Sequence, residues 1–201
     1  MRSVYHLVTL GTTVHYAGFH FVPHCIDATR LVLPLLLWAC SYACFRRLVD
    51  ADPGIANAAD EETDATNVCR FCSRRRADHT KHCHVCKTCV DGFDHHCDVL
   101  DKCIGSGNIA LFRRFLLFHS CFLLFATFHT SQLLFGCVER DPVGLPLYLS
   151  LIVIEFSFGT AFFMFWMFHA CLALWDTRTY DLIKFFLRGQ PTVRDDTKKK
   201  D

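Results

Sequence analysis

The residue types that could do chemistry are crowded into one short part of the chain. Seven of the 13 cysteines lie between residues 69 and 103, and five histidines are interleaved with them. Two residues separate Cys69 from Cys72 and Cys83 from Cys86, and the same spacing recurs at Cys89. This spacing lets two thiolates bind one tetrahedral zinc ion. A single C-x-x-C says little, whereas this run with histidines at its joints predicts bound zinc.

Counting ligands leaves one cysteine over. A structural zinc ion takes four ligands, so two ions need eight. If each ion takes three cysteines and one histidine, six of the seven cysteines are used. The remaining thiol is the residue of interest for reactivity, because a thiolate that is not held by a metal is a nucleophile. Spacing alone does not decide which cysteine this is.

The rest of the chain predicts a membrane protein. Hydrophobic residues make up 52% of it, and the 20 phenylalanines cluster in uncharged runs. A helical span needs about 20 mostly apolar residues. Four stretches approach this length: 4–22, 31–48, 115–136 and 147–175. The first two are weaker, and a buried or interfacial hairpin is their alternative. A retained first span is favoured over a signal peptide, since no compact leucine-rich core or small-residue cleavage site is present.

Charge placement predicts the orientation in the membrane. Of the 21 lysines and arginines, only Arg30 and Arg140 lie between spans one and two or between spans three and four. By the positive-inside rule, the N-terminal tip, the 46–114 region and the C-terminal tail face the cytosol. An odd number of cysteines also argues against a secreted disulfide framework. We therefore expect an α-helical integral membrane protein with four transmembrane helices and a cytosolic, zinc-bound cysteine-rich domain between helices 2 and 3.

These expectations divide the chain into five segments. They are an N-terminal transmembrane hairpin (1–48), an acidic linker with a D-P-G motif (49–67), the cysteine-rich domain (68–114), a C-terminal transmembrane pair (115–175) and a cytosolic tail (176–201). The chain ends in KKKD, which resembles a dilysine signal for retrieval to the endoplasmic reticulum. A multi-pass protein of the endomembrane system, in the endoplasmic reticulum or Golgi, is therefore expected. A solvated basic tail is the alternative reading of these lysines.

The cysteine-rich stretch resembles the cysteine-rich domain of the DHHC family of membrane protein S-acyltransferases, the palmitoyltransferases. The residues that carry the resemblance are Cys69 and Cys72, then His82, Cys83, Cys86 and Cys89, then Asp94, His95, His96 and Cys97, and finally Cys103, Ile104, Gly105, Asn108 and Phe112. Asp52-Pro53-Gly54 matches a further short motif of that family. The resemblance covers the order of all elements from the first span to the last.

The resemblance implies two zinc sites and one catalytic group. One zinc ion would be bound by Cys69, Cys72, His82 and Cys89, and the other by Cys83, Cys86, His96 and Cys103. Cys97 would be the nucleophile, His95 its base and Asp94 the residue that orients the base. A histidine held by zinc cannot readily shuttle protons, whereas its neighbour can, and an acid that orients such a base is a recurring catalytic arrangement.

The resemblance also implies a reaction and its partners. Cys97 would attack the thioester of a long-chain acyl-CoA such as palmitoyl-CoA, and a cysteine of a membrane-associated or cytosolic substrate protein would then take the acyl group. The acyl tail would lie among the spans. Basic residues near the site are candidates for the phosphates of coenzyme A: Arg76, Lys81, Arg113 and Arg114. Their alternative role is contact with anionic lipid.

The chain departs from the family pattern after the candidate nucleophile. Asp98-Val99 stands where the family usually has Pro-Trp, and a carboxylate beside Cys97 disfavours a thiolate. The family's Thr-Thr-x-Glu is degenerate here, as Arg178-Thr179-Tyr180-Asp181. The alternative function is therefore a catalytically weak, zinc-stapled membrane adaptor, or one half of a complex with an accessory protein. A nucleic-acid-binding zinc module is disfavoured by the four expected spans.

Overall fold

A computed structural model describes residues 32–59, 64–137 and 145–188. Its helices are α1 (Val32–Asp50), α2 (Ile109–Cys137), α3 (Leu145–Leu174) and α4 (Thr179–Arg188), with a short 3₁₀ helix at Ala65–Asn67. Its strands are β1 (Lys81–Cys83), β2 (Thr88–Val90), β3 (His95–Cys97) and β4 (Lys102–Ile104). The first expected span and the C-terminal lysines lie outside the described residues.

Three of the described helices are long and apolar enough to cross a membrane. They are α1, residues 109–132 of α2, and α3. The second, third and fourth expected spans are thus confirmed as apolar helices of sufficient length, while the expectation of four spans stays a prediction. Within α3 the surface is strongly apolar; Val153, Met164, Phe156 and Phe158 are more than half exposed. Such a surface suits contact with lipid.

The described residues form two compact units. The first contains α1, the turn 98–101, most of α2 from residue 110, and α3 up to residue 168. Two buried polar contacts join its helices: Ser41 Oγ lies 3.0 Å from His119 Nδ1, and Thr130 Oγ1 donates to Glu155 Oε2 at 3.0 Å. Glu155, the acid of the fourth expected span, is 2% exposed. An ionisable side chain in such a helix needs a partner of this kind, because lipid offers none.

The second unit is built on two short antiparallel hairpins. It contains residues 52–59, 64–97 and 102–109 together with the described part of the chain from residue 169. In β1–β2, His82 lies opposite Cys89, and in β3–β4, His96 lies opposite Cys103. Few apolar side chains are buried here, and the buried clusters are made largely of cysteines. A bound metal is therefore the natural source of folding energy for this unit.

The D-P-G segment is fastened to this unit by its backbone. The Asp52 carboxylate accepts the N–H groups of Ile55 and Gly54, which lowers the pKa of Asp52. Gly54 has a φ of 94°, a conformation that favours glycine. Its carbonyl accepts the N–H of Asp91, and the Pro53 carbonyl accepts the N–H of Gly107. Part of the segment expected to be a linker thus pairs with the cysteine-rich domain.

A methyl group at Gly105 is expected to destabilise this unit. A Cβ there would lie 2.5 Å from the Pro53 carbonyl oxygen and 2.6 Å from Val90 Cγ1, with backbone on one side. Overpacking of this kind costs about 1–3 kcal/mol. Gly105→Ala should therefore lower the melting temperature of the zinc-loaded protein, whereas Ser106→Ala at the exposed neighbouring position should not. Equal melting temperatures for Gly105→Ala and the wild type would contradict this packing.

The chain turns sharply where α3 ends. Asp176 has a φ of 47°, its N–H donates to the Ala173 carbonyl, and the N–H of Thr177 donates to the Leu172 carbonyl. These two bonds with a left-handed residue form a Schellman motif, a common helix ending. α4 follows at once, from Thr179. This helix lies within the segment expected to be a cytosolic tail (176–201), where no helix is predicted from the sequence.

Candidate functional site

The first group of possible metal ligands contains Cys69, Cys72, His82 and Cys89. One ligand atom from each lies within 4.8 Å of the others. His82 Nδ1 is 3.7 Å from Cys69 Sγ and 4.0 Å from Cys89 Sγ, and the sulfurs of Cys72 and Cys89 are 3.6 Å apart. Ligand atoms of a tetrahedral zinc site are about 3.3–3.8 Å apart, given metal–ligand bonds of about 2.0–2.3 Å. These four residues therefore fit one zinc ion.

The second group contains Cys83, Cys86, His96 and Cys103. His96 Nδ1 lies 3.4 Å from Cys86 Sγ, 3.7 Å from Cys83 Sγ and 3.8 Å from Cys103 Sγ. The sulfurs of Cys86 and Cys103 are 3.4 Å apart. The same range of distances again fits a tetrahedral ion. Both groups consist of the residues that the family resemblance implied.

The two groups share the first hairpin. Adjacent side chains of a strand point to opposite faces. On β1, His82 consequently belongs to the first group and Cys83 to the second. The loop after β1 contributes Cys86 to the second group, and β2 returns Cys89 to the first. One short hairpin therefore carries ligands of both groups, and disturbing one group will disturb the other.

The two hairpins correspond residue by residue, which the sequence analysis missed. Both read His-Cys-x-Val-x-x-x-Cys, the first from His82 to Cys89 and the second from His96 to Cys103. Each begins its second strand after a residue in the left-handed region, Lys87 with φ 56° and Asp101 with φ 51°. The signal was present in the sequence as this repeat of eight residues. Cys97 therefore occupies the position that Cys83 has in the first hairpin.

Cys97 belongs to neither metal group. It is half-buried at the end of β3, and Leu100 stands in the second hairpin where Cys86 stands in the first. His95 is hydrogen-bonded to Asp94, whose Oδ2 is 2.8 Å from His95 Nδ1, and the Cys97 side chain on the same strand is close enough to raise the pKa of His95. The structure thus brings together the acid, the histidine and the cysteine named in the sequence analysis.

Asp94 is held in place from its other side. It is 3% exposed, and its Oδ1 accepts the backbone N–H of Thr179 at 3.0 Å. Burial raises the pKa of Asp94, but the hydrogen bonds from His95 and Thr179 outweigh burial and keep the pKa below its ordinary value. Burial lowers the pKa of His95, and its hydrogen bond with Asp94 and the neighbouring Cys97 side chain more than reverse this, raising the pKa to about 9. A protonated His95 beside the Asp94 carboxylate is the expected state at neutral pH.

His169 is a further polar residue at this site that sequence reasoning did not find. It lies in the last turns of α3 and is fully buried, and one of its ring nitrogens is within 4.8 Å of ligand atoms of Asp94 and His95. Its ring centroid is 5.9 Å from that of His95. No spacing rule could have indicated it, because 72 positions separate it from Cys97 and the contact is tertiary.

A cleft of about 290 Å³ opens beside these residues. Its walls carry apolar, aromatic, basic and acidic side chains: Phe93, Asp94, His95, His96, Tyr180, Ile183, Lys184 and Leu187. The Lys81 ammonium lies 5.3 Å from the centre of the Tyr180 ring. Burial, with the positive charges of Lys184 and Arg76, lowers the pKa of Lys81. Of the four basic candidates, Lys81 and Arg76 belong to this unit, and Arg113 and Arg114 belong to the helical one.

Comparison with known proteins gives a consistent assignment. Residues 62–185, more than half of the chain, match the family model described as DHHC palmitoyltransferase. The chain is 29% identical to palmitoyltransferase ZDHHC17 of Danio rerio over 139 residues, which is 62% of this chain and 21% of the relative. It is 35% identical to the proteins of that name from Rattus norvegicus and Homo sapiens over 102 residues, 44% of this chain and 15% of each relative. It thus spans about a fifth or less of their length. The matched segment contains both metal groups and the Asp-His-His-Cys strand, and the chain belongs to the DHHC palmitoyltransferase family.

Proposed function

We propose that this protein is a membrane S-acyltransferase that moves a long-chain acyl group, palmitoyl, from acyl-CoA to cysteines of substrate proteins through an acyl-Cys97 intermediate. The observation that carries the proposal is the grouping of Asp94, hydrogen-bonded His95 and the neighbouring Cys97, in which the cysteine is left out of both metal groups. Membership of the DHHC family supports the same activity. The name of the relatives, palmitoyltransferase, supports palmitoyl as the transferred group.

Two zinc ions are proposed to have a structural role. The ligands would be Cys69, Cys72, His82 and Cys89 for one ion and Cys83, Cys86, His96 and Cys103 for the other. Zinc bound by four protein ligands has no open position for substrate and contributes folding energy. Its effect on the reaction is to hold β3, and with it His95 and Cys97, in a fixed place.

The reaction proceeds through two thioester exchanges. The Cys97 thiolate, paired with protonated His95, attacks the carbonyl carbon of palmitoyl-CoA; the bond from that carbon to the coenzyme A sulfur breaks, and coenzyme A leaves with the proton of His95. A cysteine of the substrate protein then gives its proton to His95 and attacks the acyl carbon. The bond to Cys97 breaks, and the thiolate–imidazolium pair is restored. Asp94 orients His95 and stabilises its charge. Because one thioester replaces another, positioning supplies much of the rate.

The membrane arrangement follows from the same proposal. Four spans, with both termini and the cysteine-rich domain in the cytosol, would keep the acyl tail in the bilayer while its carbonyl reaches Cys97. Arg76, Lys81, Arg113 and Arg114 are proposed to attract the phosphates of coenzyme A. Substrates would be proteins with membrane-proximal cysteines. The compartment would be the endoplasmic reticulum or Golgi.

A catalytically weak adaptor is the second candidate function. The departure that favours it is Asp98-Val99, which follows Cys97 where the family usually has Pro-Trp. In such a protein the zinc-stapled domain would bind substrates or a partner enzyme and would transfer no acyl group itself.

The proposal is tested by acyl transfer with the purified protein. Zinc-loaded protein in detergent is incubated with alkyne-tagged palmitoyl-CoA and an acceptor peptide that carries one cysteine next to an apolar anchor. We expect the tag on the peptide in a bond that hydroxylamine cleaves, and no tag on a serine version of the peptide. If acyl transfer is no faster than with protein stripped of zinc, the proposed enzymatic function is contradicted and the adaptor function is favoured.

Asp94→Asn is expected to slow acylation strongly without unfolding the protein. The amide cannot hold a charged His95 as the carboxylate does, and an analogous change in a serine protease lowers the rate by about 10⁴-fold. We expect a loss of about 10²–10⁴-fold in the initial rate of self-acylation, with both zinc ions retained. Asp101→Asn makes the same chemical change at an exposed turn residue and should have little effect. A wild-type rate for Asp94→Asn would remove Asp94 from the catalytic group.

A further inference from the structure

His169 has no part in the acyl transfer described above, yet it completes a compact group with Asp94 and His95. One ligand atom from each residue lies within 4.8 Å of the others, as in the two cysteine-rich groups. Asp94 and His169 are buried, at 3% and 0% exposure, while His95 remains accessible. A carboxylate and two imidazoles is a ligand set found in catalytic zinc sites, where three protein ligands leave one position open.

The distance between His95 and Asp94 requires little adjustment for a metal ion. His95 Nδ1 and Asp94 Oδ2 are 2.8 Å apart, whereas ligand atoms with bonds of about 2.0 Å in a tetrahedral site are about 3.3 Å apart. The second oxygen of Asp94 is held by the Thr179 N–H at 3.0 Å. Support of this kind, from a hydrogen bond to the remaining atom of a ligand, orients ligands in metal sites. The carboxylate is therefore already fixed, and His95 Nδ1 has to move away from it by only about 0.5 Å.

The group is also reachable from solvent. Asp94 and His95 line the cleft of about 290 Å³, which provides an access path for a hydrated ion. The second hairpin has no pair of cysteines two residues apart that could bind a metal ion. Cys97 stands at the place of Cys83, but Leu100 stands where the first hairpin has Cys86. A site with three ligands and an open position should bind zinc more weakly and more reversibly than the two groups of four.

We propose that Asp94, His95 and His169 form a third zinc site, weaker than the other two, and that its occupation stops acyl transfer. The inhibitory part rests on the proposed function, because a metal on Asp94 and His95 removes both from their roles beside Cys97. The binding part does not depend on activity. The site would make the protein sensitive to free zinc without any change in its structural ions.

The binding part is tested by counting zinc on the full-length protein. Protein purified with its structural ions is titrated with zinc in the presence of a chromophoric chelator, and bound metal is measured by mass spectrometry of the elements. We expect a third equivalent in the wild type and at least about tenfold weaker binding of it in His169→Gln. His129→Gln, the same change at another buried histidine, should keep the third equivalent. Only two equivalents in the wild type, or an unchanged third one in His169→Gln, would overturn the proposal.

A second variant covers a failure of His169→Gln to fold. If that protein loses the structural ions, Asp94→Asn replaces it, and an unchanged third equivalent in Asp94→Asn overturns the site.

The inhibitory part is tested on the same samples by self-acylation with tagged palmitoyl-CoA. Added zinc should slow the wild type, and a chelator that leaves two ions bound should restore it. A third equivalent without slowing overturns the inhibition. If the wild type shows no acylation at all, the proposed function fails, while the zinc count still decides the site.

Discussion

Replacing Cys97 with serine is expected to reduce self-acylation by at least about 10³-fold while leaving both structural zinc ions bound. A serine hydroxyl is a weak nucleophile unless a base removes its proton. Protonated His95 cannot act as that base, so the hydroxyl stays protonated. Removal of a nucleophile in other covalent enzymes costs up to about 10⁶-fold. Cys97 lies outside both metal groups, so serine should be tolerated by the fold. The initial rate of hydroxylamine-sensitive labelling by tagged palmitoyl-CoA measures the effect.

A matched variant separates chemistry from general damage. Cys121→Ser makes the same change at a half-buried cysteine of α2 that is also outside the metal groups, and it should label like the wild type. Zinc content and melting temperature should be the same for all three proteins. Labelling of Cys97→Ser at the wild-type rate would mean that another residue is acylated, and that the series of Asp94, His95 and Cys97 has some other role.

Cys89→Ser is expected to abolish the folded cysteine-rich unit, and to release more than one zinc ion. Cys89 is fully buried and belongs to the first metal group, while the hairpin that carries it supplies Cys83 and Cys86 to the second. Binding of a structural zinc ion is worth about 10–16 kcal/mol, as much as the whole stability of a typical domain, about 5–15 kcal/mol. Loss of one ion should therefore unfold the unit and release the other.

Zinc content and resistance to proteolysis together measure this unfolding. The unit contains several trypsin sites, among them Arg74, Arg75 and Lys87, which should be cut rapidly in Cys89→Ser and slowly in the wild type. Cys171→Ser, the same change outside the metal groups, is the control and should keep two ions. A Cys89→Ser protein that keeps one ion per chain and resists trypsin would show that the two groups fold independently, contrary to the interleaved arrangement.

The metal groups and the apolar helices could be predicted from the sequence because their signals are local. Ligand spacing indicates zinc directly, and long uncharged runs indicate spans. The pairing of ligands needed the family resemblance, since spacing allows several divisions of seven cysteines and five histidines. The repeat from His82 and from His96 was also local, and could have been read as two equivalent hairpins.

The residues that contact Asp94 could not be predicted from the sequence, because these contacts join distant parts of the chain. Thr179 is 85 positions away from Asp94 and offers its backbone N–H, which any residue there except proline would carry. In the sequence, His169 looks like one more polar residue of an apolar helix, and only the tertiary fold places it next to His95. The helix α4 was missed because the tail around it is polar and the element is only ten residues long.

The most direct test of the account is to locate the acyl group on the protein itself. Zinc-loaded protein is given palmitoyl-CoA without any acceptor, quenched in acid, digested, and mapped by mass spectrometry. We expect one palmitoyl group in a thioester on the peptide that contains Cys97, removed by hydroxylamine and lost on addition of an acceptor cysteine. A thioester on Cys40, Cys44 or a zinc-binding cysteine with Cys97 unmodified would contradict it.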